Sequence, residues 1–312
     1  MYKAAVIIPT RGGAAKLHYP LDALEQQTEK DFQVIVVCDG DIDGSAEVVE
    51  NYKKRGQLNI ESIVFAENQG RSKALNAGHR AAEADILIRC DDDLEPRPDY
   101  IAQHIRYHDR QHETGVIGLV HNKYPDTAHA RAYGYYRDEL FRKTAYERPQ
   151  EEHWNYWNAN ASLSKKMFDK LGGYDERYRL YGWEDVDMGW MLHKAGVEII
   201  LAPELEANHY IAATTTANRA TRALHSGAAK DIFVKKHGPH VLPDPSPRGL
   251  WGQAVKLLST LCTEKNITLM GNSIDKLADF LPSAISEKLM ALLVEASGYA
   301  GTANPSRARK VF

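Results

Sequence analysis

Three consecutive aspartates, Asp91, Asp92 and Asp93, follow directly on the apolar run Ile86-Leu87-Ile88-Arg89-Cys90. Adjacent carboxylates repel one another, so such a triplet needs either full solvation or a counter-charge. An acidic loop tip after a strand meets the need with water. A hard divalent cation meets it differently, taking carboxylate oxygens and bridging them to a phosphate. A second acidic pair, Glu184-Asp185, opens a stretch with apolar residues at Val186, Trp190, Met191 and Ala195. Acids in a first helical turn are favoured by the backbone dipole whatever their function. An ionised carboxylate there is also able to take a proton from a hydroxyl, and packing against an aromatic such as Trp183 raises its basicity. His209 stands alone after a strand-like run, and a lone histidine is more often simply hydrogen-bonded than a ligand.

The pattern around these residues alternates buried strands with helices. Residues 4–8, 32–37, 60–65 and 86–90 are short apolar runs, each closed by loop-forming residues: Pro9-Thr10-Arg11-Gly12-Gly13, Asp39-Gly40, Asn68-Gln69-Gly70 and the aspartates. Helical spacing follows each of the first three, through Leu17-Leu21-Leu24, through Val48-Val49-Tyr52 and through Ala74-Leu75-Gly78-Ala81. Strand–helix alternation of this length means βαβ units and a parallel sheet. In such sheets ligands bind beyond the carboxyl ends of the strands. Pro9 to Arg11, Asp39, Asn68 to Arg71 and Asp91 to Asp93 all stand at strand ends and are expected to converge on one crevice.

The second half reads as strands at 115–120, 158–163 and 197–201, a helix opened by Glu184, and a segment at 123–152 read as helix plus mobile loop, a candidate lid. Residues 238–249 carry four prolines and read as a linker. Beyond it, 250–261 and 274–294 look helical, with Pro282 interrupting the second, and the tail around Arg307 to Lys310 reads as basic and frayed.

With 39 Lys+Arg against 42 Asp+Glu the chain lacks the basic excess of a general nucleic-acid binder, so no nucleic-acid partner is expected. Cys38, Cys90 and Cys262 lie far apart with no CxxC pair, which points to a reducing compartment rather than a disulfide framework. No signal peptide is visible and no apolar stretch approaches the roughly 20 residues of a membrane span. The expected location is cytoplasmic, with a peripheral place at the inner face of the membrane left open.

The ordered set Val6-Ile7-Ile8-Pro9-Thr10, Gln27-Thr28, Val34-Ile35-Val36-Val37-Cys38-Asp39-Gly40, Asn68-Gln69-Gly70, Ala74-Leu75-Asn76-Ala77-Gly78, Asp91-Asp92-Asp93, Gly172-Gly173-Tyr174-Asp175 and Gly182-Trp183-Glu184-Asp185 resembles family 2 glycosyltransferases of the GT-A fold. The likeness spans about residues 4–210. It implies a Rossmann-like α/β architecture, a mixed and mainly parallel sheet flanked by helices, here with a carboxyl-terminal helical extension. It also implies the family's Asp-X-Asp motif, with Asp91 near the donor ribose, Asp93 as ligand of Mn²⁺ or Mg²⁺, and Asp92 ambiguous because the run is unbroken. Pro9 and Thr10 would line the base, Asp39 would hold uracil or ribose, and Arg11, Asn68, Gly70 and Arg71 would complete the nucleotide-sugar site. The bland reading of Asp39 is a turn-forming aspartate before Gly40. The family often has a second acid where this chain has Cys38. His209 matches a histidine that completes metal coordination in relatives. Glu184 and Asp185 match the acceptor motif, with Asp185 as base and Glu184 as ligand of an acceptor hydroxyl, or the reverse; Asn160 and Trp183 are further candidate acceptor contacts.

The function expected is an inverting, metal-dependent transfer of a hexose or N-acetylhexosamine from a UDP-sugar, galactose-type favoured, to a carbohydrate or lipid-linked saccharide acceptor. The alternatives are a nucleotidyltransferase and a non-catalytic nucleotide-sugar-binding scaffold subunit. The expected division is a transferase domain at 1–237 (donor-binding over residues 1–114, acceptor-binding over 115–237), the linker 238–249, and helices at 250–312. Those helices, around Leu277, Phe280, Leu281, Ile285, Leu289, Leu292 and Leu293, are a candidate surface for peripheral membrane contact or a homo-oligomer.

Overall fold

Strands β1 (Tyr2–Thr10) and β2 (Phe32–Cys38) are buried almost from end to end, as apolar strands covered on both faces must be. They anchor the computed structural model, which describes residues 1–210, 213–243 and 246–309. In chain order the other elements are α1 (His18–Glu25), α2 (Ser45–Arg55), β3 (Ile60–Val64), α3 (Arg71–Ala81), β4 (Ala84–Cys90), β5 (Leu94–Glu95), α4 (Tyr100–His108), β6 (Thr114–Ile117), β7 (Val120–Asn122) and α5 (Tyr135–Glu147). There follow β8 (Asn160–Ser164), α6 (Lys165–Leu171), α7 (Glu184–Lys194), β9 (Glu198–Leu201), β10 (Ala207–His209), α8 (Thr216–His237), α9 (Gly249–Ser259), α10 (Glu264–Ala278) and α11 (Ser283–Ala303).

The chain forms two compact units. One comprises Met1–His121, Arg142–Glu176 and Glu184–Tyr210, the other Asn122–Phe141, Arg177–Trp183 and Ile211–Phe312. The first is built on a seven-stranded sheet of order β3-β2-β1-β4-β8-β6-β9. Its β3-β2-β1-β4 half is parallel, β8 runs antiparallel to both its neighbours, and β6 pairs parallel with β9. The mixed, mainly parallel sheet flanked by helices is therefore the architecture observed. Val6, Ile8, Val34 and Val36 meet Leu17 and Leu21 in its principal core.

Two sequence motifs turn out to be fasteners of this unit. The Gln27 side-chain amide donates to the carbonyls of Ala23 and Arg97 and accepts from the Ile101 amide, tying α1 to the start of α4. Asn76, buried in α3, brackets Tyr174, accepting from its amide at 2.8 Å and donating to its carbonyl at 2.9 Å. The expected single strand at 115–120 is two: β6 lies in the main sheet, and β7 joins a small sheet of order β5-β10-β7. Gly118 and Leu119 separate them, the Gly118 amide still continuing the β6–β8 ladder by donating to the Asn160 carbonyl. Residues 123–152, read as helix plus mobile loop, are mostly helical: a π-turn at Ala130–Gly134, α5, and a 3-10 turn at Gln150–Tyr156.

The second unit gathers α8 with α9, α10 and α11. Close backbone contact holds α8 to α11. A Cβ on Gly227 would lie 2.2 Å from the Gly298 carbonyl oxygen, and one on Gly301 only 2.0 Å from that of Leu224. Glycine alone lets α8 and α11 approach so nearly. Leu224, Ile267, Leu293 and Ala296 fill the space around that crossing. Pro282 does separate α10 from α11, as its missing N–H dictates. In the expected linker, Pro239–Val241 form a 3-10 turn, and Asp244 and Pro245 lie outside the described residues. The tail is fastened rather than frayed up to Arg309: the Arg307 guanidinium donates to the carbonyls of Ser259, Thr260 and Cys262 at and just beyond the end of α9. Lys310 lies outside the described residues. The proposed apolar face is divided, with Leu277, Phe280 and Ile285 exposed and Leu293 in the core. Among the described residues no helix is long and apolar enough to cross a membrane.

Candidate active site

The carboxyl ends of β1 and β2 lie side by side, with Thr10 in register with Cys38 and the Asp39 amide donating to the Thr10 carbonyl. Asp39 is buried, and its carboxylate accepts from the amides of Gln69 (2.5 Å) and Gly70 (2.8 Å). It thereby clamps the loop that carries Asn68 and leads into Arg71 at the start of α3. Gly40 makes the approach feasible: its φ is +73°, and a Cβ there would lie 3.0 Å from the Asn68 nitrogen. Arg11 donates through Nη1 to the Asp39 carbonyl at 2.9 Å. Pro9 and Thr10 are buried at the end of β1. Pro9, Thr10, Arg11, Asp39, Asn68, Gly70 and Arg71 therefore belong to adjoining strand ends, as strand alternation required.

The three aspartates diverge. Asp92 turns inward, where the Thr10 hydroxyl donates to it at 2.5 Å and the Lys16 ammonium lies 2.9 Å away. Burial pushes its carboxyl up to about 6 against the pull of Lys16. Asp93 meets His209, with Nε2 3.3 Å from Oδ1. A short ladder delivers that pair: His209 pairs with Leu94, Asn208 pairs with Glu95, and the Tyr210 amide donates to the Asp93 carbonyl. Glu95 braces the ladder by accepting from Asn208 Nδ2 and the Tyr210 hydroxyl, and Tyr210 stacks on Tyr19 at 4.1 Å. One carboxylate oxygen and one imidazole nitrogen side by side could hold a divalent cation that took its other ligands from outside the protein. Among the described residues no group of three or more His, Cys, Asp or Glu forms a closed metal cage.

Asp91 turns instead to Arg89, which grips it through Nε at 2.8 Å and Nη2 at 3.2 Å. The same guanidinium reaches Asp185 through Nη1. Burial works against the charge on Asp91, yet Arg89 and Arg71 hold its carboxyl below the usual range. Burial pushes Asp185 up to about 7, with Glu184 and Asp91 adding to the rise and Arg89 opposing it. Glu184 is buried beside it, its Oε1 3.4 Å from Arg71 Nη1; its Oε2 accepts no hydrogen bond among the described residues. The acidic strand tip and the acids that open α7 are thus joined through one arginine. Arg89 was legible only as a charge inside an apolar strand, where burial demands a partner.

The two further candidate acceptor contacts each have partners within the protein. Asn160 is fully buried; its side-chain nitrogen donates to the Leu205 carbonyl at 2.7 Å, so it fastens β8 from inside. Trp183 belongs to the carboxyl-terminal unit, where its indole donates to the Ser226 hydroxyl at 3.1 Å and its ring packs on Phe233. Its backbone is left-handed, φ +69°, directly after Gly182 at +79°, an unusual conformation for a bulky residue.

The seat of α7 depends on Gly189, where an added Cβ would lie 2.2 Å from the Trp154 carbonyl oxygen and 2.9 Å from Trp157 Cβ. Backbone cannot yield as a flexible side chain does. Gly189→Ala is expected to cost about 1–3 kcal/mol, lowering the Tm by roughly 2–4 °C per kcal/mol, and to lower turnover by displacing Glu184 and Asp185. An unchanged Tm in a thermal melt would show that α7 has slack at this contact.

The chain is similar to known proteins. The family model described as glycosyl transferase family 2 matches residues 5–172, and one described as the N-terminal domain of galactosyltransferase matches residues 138–214. A validoxylamine A glucosyltransferase of Streptomyces hygroscopicus subsp. jinggangensis is 28% identical over 284 residues, covering 80% of this chain; the chain spans 65% of that relative's length. Among solved structures, a mannosyltransferase from Pyrobaculum calidifontis in complex with GDP-Man and Mn²⁺ superposes with a TM-score of 0.64 at 18% identity, covering 97% of this chain and 88% of the other. S. aureus TarS 1-349 in complex with UDP gives 0.53 at 15% identity, covering 96% and 92%. Both share the fold.

Proposed function

Because the chain belongs to glycosyl transferase family 2, we propose that it is an inverting, metal-dependent glycosyltransferase that moves a hexose or N-acetylhexosamine from a UDP-sugar to a carbohydrate hydroxyl. The observation that carries this reading is the joining of Asp91 and Asp185 through the buried Arg89 guanidinium. One acid belongs to the strand tip that bears Asp93, the other to the helix whose first turn bears Glu184.

In this reading Asp93 and His209 hold the cation, which neutralises charge on the departing diphosphate when it is bound. The chain's own task is proton and hydroxyl handling. Asp185 accepts the proton of the acceptor hydroxyl as that oxygen forms its bond to the anomeric carbon and the bond from that carbon to the UDP oxygen breaks. A carboxyl raised to about 7 by burial suits a base working near neutral pH. Attack from the side opposite the leaving group inverts the anomeric configuration. The unpaired Glu184 Oε2 is the acceptor for a second sugar hydroxyl. Asp39 and Arg71 supply the nucleotide side. A UDP donor is supported by the TarS complex and galactose-type sugar by the galactosyltransferase match, whereas the Pyrobaculum neighbour is in complex with GDP-Man.

Incubation with a panel of nucleotide sugars, Mn²⁺ and saccharide acceptors tests the proposal. Release of UDP with formation of an inverted glycoside is expected. Pyrophosphate release would replace it with nucleotidyl transfer, and donor binding without any turnover would leave a scaffold. Glu184→Gln is expected to lose a charge-assisted hydrogen bond worth about 1.5–3 kcal/mol, hence roughly tenfold to a hundredfold in acceptor kcat/KM, with donor affinity unchanged. Unaltered acceptor kinetics would remove Glu184 from the acceptor site.

A further inference from the structure

Arg89 has a neighbourhood that simple charge balance does not require. It lies in β4 between two paired strands, opposite Ile7 of β1 and Ala161 of β8, and is 1% exposed. Placing a cation there is expensive, and a hydrophobic residue of similar volume often serves stability as well. The arginine instead uses both edges of its planar fork: Nε and Nη2 on Asp91, Nη1 on Asp185. A flexible ammonium is a point charge and cannot fix the angle between two carboxylates in this way.

We infer that Arg89 is a positioning residue for transfer, holding the Asp185 carboxylate at a fixed angle and distance from Asp91 and keeping it ionised. This rests on the reading of Asp185 as the base. Asp185 is faced by Arg89 from β4, Asp91 from the strand tip, Arg71 from α3, Tyr174 from the loop after α6, and Glu184 from its own helix. Arg89 is the cation that bonds it directly. Removing that cation leaves two acids beside a third, so the carboxylate becomes harder to ionise and the base is protonated at a pH where it formerly worked.

The test is the pH dependence of kcat for Arg89→Met and Arg89→Lys, alongside Asp185→Asn. Arg89→Met is expected to move the acid limb upward by about 1–3 pH units, so that activity lost at pH 7 returns in alkali while the donor KM changes little. Misfolding would not be repaired by raising the pH. Arg89→Lys, which keeps the charge and loses the fork, is expected to leave the limb in place and lower kcat about tenfold or more at every pH. An Arg89→Met enzyme that binds UDP and Mn²⁺ normally with its acid limb at the wild-type pH would overturn the inference. Should Arg89→Met fail to fold, a wild-type kcat in Arg89→Lys overturns it equally. Full activity in Asp185→Asn would instead overturn the base assignment, whatever the arginine variants do.

Discussion

Asp185→Asn is expected to abolish transfer while leaving binding of UDP and Mn²⁺ intact. A positioned general base contributes about 10²- to 10⁴-fold, and asparagine keeps the shape of the side chain while removing the lone pair that takes the proton. The wild-type pH profile should agree in sign. Burial raises this carboxyl to about 7, and only the ionised form accepts a proton, so kcat should climb as pH rises through that value. The variant should show no such limb. Single-turnover measurements with saturating donor check the first point, and calorimetry with UDP and Mn²⁺ checks the second. An asparagine enzyme within threefold of wild type would leave the reading without its base.

Asp93→Asn and His209→Ala should fail in another way. If the two side chains hold the cation together, each loss weakens metal-dependent nucleotide binding before it touches proton transfer. Metal stabilisation of a leaving diphosphate is worth several kcal/mol, so Asp93→Asn should lower kcat/KM by roughly two to three powers of ten. His209→Ala, which keeps the carboxylate, should lose less and be partly restored by excess Mn²⁺. Titrating metal into enzyme with UDP separates the cases. A metal requirement unchanged in both variants would disconnect this pair from the diphosphate.

What the sequence disclosed follows from which interactions are local. The alternation of apolar runs with helical spacing put Thr10, Asp39, Gly70 and Asp93 at strand ends, and strand ends are where a parallel sheet gathers its ligands. Glu184 and Asp185 were readable because helix starts have local signals. The fates of the individual aspartates were not readable. Whether Asp92 faces a ligand or turns to Thr10 and Lys16 depends on contacts more than 75 residues apart in the chain. Arg89 shows the same limit, since one of its partners is 96 positions distant. The bond from the buried Asn160 side chain to the Leu205 carbonyl, 45 positions along the chain, was equally unreadable. The allegiance of α8 was hidden for a related reason: Gly227 and Gly301 read as weak points in separate helices until they are seen against each other.

The ladder between β5 and β10 contains just two residue pairs, and it decides where an imidazole points. In a strand, neighbouring side chains face opposite ways, so a slip of a single position would swing His209 to the far side and bring Asn208 or Tyr210 in its stead. Two pairs are too few to fix alignment by themselves. The carboxylate of Glu95, which touches no reacting group, supplies the missing constraint by binding residues on either side of the histidine. Under the proposed reading, the ligand set would thus be guarded by an acid that is not itself a ligand, and exchanging Glu95 would loosen the hold on His209 without altering either candidate ligand.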